Sequence, residues 1–242
     1  MTAVHVLGML PEALVFAGAL MVLIVGSYLP RRRLWWTRVI AVAALIGALI
    51  AGAVQMAGSD SSTFAGTFVV DSVTGVARVI TPLATVLVIL VAGEEISGSA
   101  RESESYALLL SATAGVLVLS GAQDLLVLAV GYLLASIPIY ALIGMARSPA
   151  AAEAAMKTYL LGALSGILLL LGVTLLFGGT GTTAYGELRG LLAEIPAPIV
   201  VAGSVGVVAG LLFKAGGVPL HFWVPDAAQG AQGFVAMFVT TV

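Results

Sequence analysis

An all-α membrane protein, a bundle of about eight transmembrane helices with the seventh discontinuous, is the fold this sequence predicts. Three observations predict it. Hydrophobic residues make up 60% of the 242 positions and charged residues 9%, against about 25% charged in a soluble domain. Mean hydropathy is +1.14. Several segments run about 18 residues or more with almost no charge, the length a helix needs to cross about 30 Å of hydrocarbon, and one soluble core cannot bury them all.

The spans predicted from this pattern are 12–29, 36–57, 71–92, 105–121, 124–146, 156–178 and 198–220, with an eighth starting near 228 and reaching the last residue. The first could be mistaken for an export signal, but its positive charges, Arg31, Arg32 and Arg33, follow the apolar run and Glu12 precedes it. A cleaved signal has the reverse order, so it reads as a spanning helix. The connections carry turn chemistry: "GSDSST" at 58–63, "GEEISGSARESES" at 93–105, "RSPAAAE" at 147–153 and "GGTGTTAYGELRGLLAEIPAP" at 178–198. With the N-terminus outside, Arg31, Arg32, Arg33, Arg38, Arg101 and Arg147 fall on the cytoplasmic side and Arg189 outside, as positive-inside bias requires. Trp35 and Trp36 suit the aromatic belt at that interface. No period of 20 to 50 residues repeats, which excludes a solenoid.

Composition also excludes functions. The chain has no cysteine, so disulfides, thiolate metal sites, iron–sulfur ligation and a cysteine nucleophile are absent from it. A net charge of -2 gives no basic patch for nucleic acid. No Gly-x-Gly-x-x-Gly follows a strand to hold a dinucleotide.

Three basic residues lie in or at the edge of spans: Arg78, Lys157 and Lys214. An ionised lysine at mid-membrane costs about 2.5–3.5 kcal/mol on insertion scales. Lys214 has two readings. Its stem could carry the ammonium to the interface, or it could face a wet interior and load and release a proton. Gly216, Gly217 and Pro219 follow it and should break the helix. Broken backbone at membrane depth is tolerated only where it packs in protein or lines a cavity, and discontinuous helices build ion sites in many transporters. His221, seven residues on, falls on nearly the same face if the helix continues and titrates nearest neutrality; alternatively it is an interfacial histidine beside Trp223.

Other polar residues have plainer readings. Lys157 pairs with Glu153 one turn before it, a salt bridge at a loop edge. Arg78 pairs with Asp71 seven residues earlier, or each points to a different interface. Asp124 caps the fifth span, Pro138 kinks it while Ser136 satisfies a freed carbonyl. "PDAAQG" forms a turn, with Asp226 capping the helix that follows.

"FKAGGVPLHFWVPDAAQGA" resembles the Phe-Lys-x-x-x-Val-Pro-x-His-x-Trp-x-Pro-Asp-x-x-x-Gly-Ala signature of the antiporter-like membrane subunits of NADH-quinone oxidoreductase, respiratory complex I, and within that family is closest to subunit N. "GAQDLLVLAVGYLLASIPIYAL" at 121–142, "KTYLLGALSGILLLLG" at 157–172 and "GTTAYGEL" at 181–188 agree in register. The resemblance runs from about residue 68 to the end. It implies a non-redox subunit of a proton-translocating enzyme in the bacterial inner membrane, whose NADH, FMN, iron–sulfur clusters and quinone sit in partner subunits. It also implies a chain of protonatable groups, onto which Lys157, Lys214 and His221 map.

Three departures qualify it. The family's glutamate on the fifth span falls, by alignment of Ser136-x-Pro138, on Leu133, which carries no proton. With leucine there, Lys214 is expected to rest neutral or to be compensated by another chain. Gln232 stands where proline is usual. Family members run to about twice this length, so residues 1–104 read as three N-terminal helices and 105–242 as a first antiporter-like repeat without its second: a fragment, a degenerate copy or half of a split subunit. Two other function classes are open: a component of a cation/proton antiporter or hydrogenase-related complex, and an inactive scaffold.

Overall fold

A computed structural model describes residues 7–58 and 60–242; Ser59, within the expected 58–63 connection, lies outside them. Among the described residues, seven helices are long and apolar enough to cross a membrane: α1 (Leu10–Tyr28), α2 (Trp35–Met56), α3 (Ser72–Val91), α5 (Glu102–Ser120), α6 (Leu125–Gly144), α7 (Pro149–Thr180) and α9 (Ala197–Lys214). Short helices α4 (Gly93–Ile96), α8 (Tyr185–Leu191), α10 (Trp223–Gly230) and α11 (Gly233–Thr241) lie between or after them. A small hairpin, β1 (Ser61–Thr63) paired antiparallel with β2 (Phe68–Val70), closes the α2–α3 connection.

Three of the spanning helices, α3, α6 and α7, start where a polar side chain takes their free amides. Asp71 accepts from the Thr74 amide at 2.8 Å, which holds its carboxyl below the usual carboxylate range. Asp124 accepts from the Leu126 amide at 2.7 Å, as its cap reading expects, and also from the Thr183 hydroxyl, which ties the start of α6 to the α7–α8 connection. Ser148 accepts from the Ala151 amide at 3.0 Å with Pro149 at the first turn, so α7 begins seven residues before the expected span. The "RSPAAAE" stretch is therefore mostly helix: alanine lowers its apparent polarity contrast but favours helix strongly, and Ser-Pro is a helix start. At the other end Gly181, at φ +75, stops α7 in the left-handed conformation that glycine adopts without strain.

The eighth span differs from expectation. "PDAAQG" is helical, part of α10, and the chain turns at Ala231–Gln232 before α11, whose nine residues rise only about 13 Å. Gln232 makes no side-chain cap. Instead both carboxylate oxygens of Glu95 accept the first amides of α11, Gly233 at 2.9 Å and Phe234 at 3.1 Å, which draws α11 against the α3–α5 connection.

In the core, α5 packs between α1 and α6, α2 lies against α1 and α3, and α7 joins α6 to α9. Helix contact in a bilayer rests on close backbone approach at small residues. Such a seam joins α7 and α9: a Cβ on Gly172 would meet the Gly203 carbonyl oxygen at 2.5 Å and the Val207 nitrogen at 2.7 Å.

Arg78 settles differently from either sequence reading. It is fully buried and paired with Glu12, 66 residues away, through Nε and Nη2 at 2.8 Å each. Its remaining donors reach Gln55 Oε1 at 2.6 Å and the Gly8 carbonyl at 2.7 Å, and its guanidinium lies 5.4 Å from the Phe68 ring centre. Asp71 is occupied as a cap, so the seven-residue spacing pairs neither.

Candidate functional site

The break in the seventh span is a satisfied helix end. Helix α9 stops at Lys214 with Gly216 at φ +63. The Gly217 amide reaches back to the Leu212 carbonyl at 2.7 Å and the Gly216 amide to Phe213 at 3.0 Å, the paired bonds of a Schellman motif, which needs a left-handed residue at the Gly216 position. The Trp223 indole also donates to the Phe213 carbonyl at 2.9 Å, and its ring packs 5.2 Å from that of Phe213. The expected break thus leaves few carbonyls unpaired in an apolar setting, and Trp223, to which the sequence assigns no role of its own beyond standing near His221, is the side chain that closes it. Its signal was the combination of an indole donor with a helix terminus nine residues before it.

Lys214 points into the protein. Its Nζ donates to the Ala135 carbonyl at 3.0 Å. Ala135 stands midway along α6, so the ammonium is at mid-depth and the snorkelling reading does not describe it. The acceptor lies in the turn before Pro138, where the missing proline N–H loosens the helix and exposes carbonyls. Ser136 was expected to satisfy a freed carbonyl; its Oγ instead has no partner among the described residues, and lysine reaches the backbone there. Lys214 forms no ion pair among the described residues.

Lys157 is held by two carboxylates. Glu153 on the same helix is 2.7 Å away and Asp226 on α10 is 3.1 Å away. The expected Glu153 pair is present, but within a helix rather than at a loop edge. Asp226 is an internal residue of α10, not the cap of the next helix, and its carboxylate bridges to α7. These groups line a cavity of about 200 Å³ together with Gln229. Because both partners are half exposed, such a pair contributes little to stability. Asp226→Asn is expected to leave the thermal unfolding midpoint within about 2 °C of the parent; a fall of about 10 °C would mean the pair anchors α10.

His221 does not share a helical face with Lys214, because the chain leaves the helix between them. Its ring lies 4.6 Å from that of Phe222, and its buried Nδ1 has no hydrogen-bond partner among the described residues. Leu133 is 39% exposed while its neighbours Ala135 and Ser136 are buried. The position aligned with the family glutamate therefore faces outward, away from the Lys214 contact. The structure thus places Lys157 beside Asp226 and Glu153, Lys214 on α6, and His221 in the segment between α9 and α10, with no direct hydrogen bond among the three.

Residues 122–242 match the family model described as the transmembrane domain of NADH:quinone oxidoreductase and Mrp antiporters. A curated relative, NADH-quinone oxidoreductase subunit N of Mycobacterium sp. (strain JLS), is 56% identical over 99% of this chain and 51% of its own length. A chain of respiratory complex I from Thermus thermophilus superposes with a TM-score of 0.81 at 28% identity, over 96% of this chain and 50% of that one. A chain of an archaeal membrane-bound sulfane sulfur reductase superposes at 0.84 with 22% identity, over 95% of this chain and 49% of that one, a likeness of fold. The chain spans about half the length of the curated relatives it matches.

Proposed function

The chain belongs to the NADH:quinone oxidoreductase/Mrp antiporter transmembrane family, and from that premise we propose that it is an antiporter-like membrane-arm subunit of a proton-translocating NADH-quinone oxidoreductase. In this reading it sits in a bacterial inner membrane with its N-terminus outside, holds no redox centre, and works beside subunits that carry NADH, FMN, iron–sulfur clusters and quinone. Residues 105–242 form its first antiporter-like repeat, and a second repeat belongs to the same protein or to a separate chain.

The observation that carries this reading is the Lys214 ammonium held at mid-depth on a backbone carbonyl of α6. A cation held only by a neutral acceptor has no fixed countercharge, and ionisable groups placed so within a membrane mark ion and proton paths. Lys157, by contrast, sits against Asp226 and Glu153 in a polar cavity, suited to receive a proton from the aqueous side. His221 follows the break, in reach of a different part of the path. Protons would pass among these groups through water, and the leucine at position 133 leaves Lys214 to be balanced from outside this chain.

Lys214→Ala in the assembled complex, reconstituted in sealed vesicles and driven by NADH, tests this. Proton transfer through this subunit is expected to fall about 10²-fold or more, read as fewer protons taken up per NADH oxidised, with Lys214→Arg retaining charge but not transfer. An unchanged proton-to-NADH ratio would make the chain a scaffold. Cation exchange without electron input would assign it to an antiporter instead.

A further inference from the structure

A second cavity, of about 250 Å³, lies at the end of the bundle where α5 and α7 begin and α6 ends. Ser99, Arg101, Ser105, Met145, Arg147 and Gln232 line it. Its lining carries two guanidinium groups, the Ser99 hydroxyl and a carboxamide, while the Ser105 hydroxyl donates to the Arg101 carbonyl at 3.0 Å, and no carboxylate lines it. We propose that this cavity binds a phosphate group, presented by the headgroup of an anionic membrane lipid or free in solution.

The charges around it leave the arginines available. Arg101 lies 3.7 Å from Glu104, with both side chains largely exposed at 40% and 54%, a loose contact that water screens. Glu102 accepts the Gly98 amide at 2.9 Å, and Glu95 is committed to the α11 amides. Arg147 forms no ion pair among the described residues, and its backbone holds φ +51, a conformation disfavoured for a residue with a Cβ. Strain of that kind persists where the surroundings or a ligand keep a side chain in place. Here it turns the α6–α7 connection so that Arg147 joins Arg101 at one cavity.

Depth selects the chemistry. Arg101 directly precedes α5 and Arg147 lies between the end of α6 and the Ser148 cap of α7, so both sit at the level where spanning helices emerge. Arg38 reaches the Leu90 carbonyl near the end of α3, which puts the charged end of α2 on the same side. Lipid phosphates occupy that level, and a guanidinium matches two phosphate oxygens with two parallel N–H bonds. Basic pockets between transmembrane helices take anionic headgroups for this reason.

The test uses the full chain, in its membrane complex or purified in detergent, and titrates it with phosphatidylglycerol, phosphatidylcholine and inorganic phosphate while bound lipid is followed by native mass spectrometry. Retention of phosphatidylglycerol over phosphatidylcholine, and its loss by about tenfold or more in Arg101→Gln with Arg147→Gln, is the expected result. Arg147→Gly guards against misfolding: glycine accepts the positive φ, so this variant should fold at least as well as the parent and still bind less. Binding of inorganic phosphate as tight as that of the lipid would assign the site to the free anion. Equal binding by parent and double variant, or an equal loss on Arg189→Gln at the opposite end, overturns the proposal.

Discussion

Arg78→Ala is expected to lower the stability of the bundle by about 3–5 kcal/mol, measured by reversible unfolding in mixed micelles. The guanidinium is fully buried and meets Glu12 with two bonds of 2.8 Å, Gln55 at 2.6 Å and the Gly8 carbonyl at 2.7 Å. Truncation would leave the Glu12 carboxylate, 4% exposed, without its countercharge, and the cost arises from that orphaned ion more than from the lost contact. The double replacement Glu12→Leu with Arg78→Met removes both charges at similar volume and should be less destabilising than Arg78→Ala alone. A single-variant loss under about 1 kcal/mol would show that the pair is solvated, because exposed pairs contribute no more than that.

Gly115→Leu is expected to impair proton translocation about as strongly as Lys214→Ala while leaving every charged residue in place. A Cβ on Gly115 of α5 would collide with the backbone nitrogen and Cα of Ala135 on α6. Backbone cannot rotate away as a side chain can, so α6 must shift, at a cost of about 1–3 kcal/mol for overpacking. The residue displaced is the one whose carbonyl holds Lys214. Gly178→Ala, where an added Cβ meets nothing within 4 Å, serves as the control and should leave the proton-to-NADH ratio unchanged. Normal pumping by a well-folded Gly115→Leu protein would detach the Ala135 contact from the transport path.

How far the sequence foretold this arrangement depends on the range of the interaction. Spans were legible because a lipid-crossing helix announces itself in hydropathy over its own length, and the break after Lys214 was legible because Gly216, Gly217 and Pro219 act locally. The direction of Lys214 was not, since the choice between the interface and α6 rests on a carbonyl 79 residues earlier. The Glu12–Arg78 pair was illegible for the same reason, and a nearer carboxylate, Asp71, offered a plausible but wrong partner. The turn-like dipeptide Pro225-Asp226 misleads about Asp226, because it lies in the first turn of a short helix that begins at Trp223. The early start of α7 was written in Ser148-Pro149 but masked by hydropathy, which reads an alanine-rich polar turn as a connection.

The glycine seam between α7 and α9 constrains how the molecule can move. Backbones that touch at Gly172, Gly203 and Gly206 leave no slack for sliding, so the two lysine-bearing rods travel as one body. Any rearrangement of this end of the bundle must then be taken up by residues 215–222, where ladder bonding is interrupted, or at the Lys157–Asp226 contact, which can open without unpicking a helix. Distance measurements between spin labels on α7, α9 and α10 would accordingly report a fixed first pair and a mobile third element.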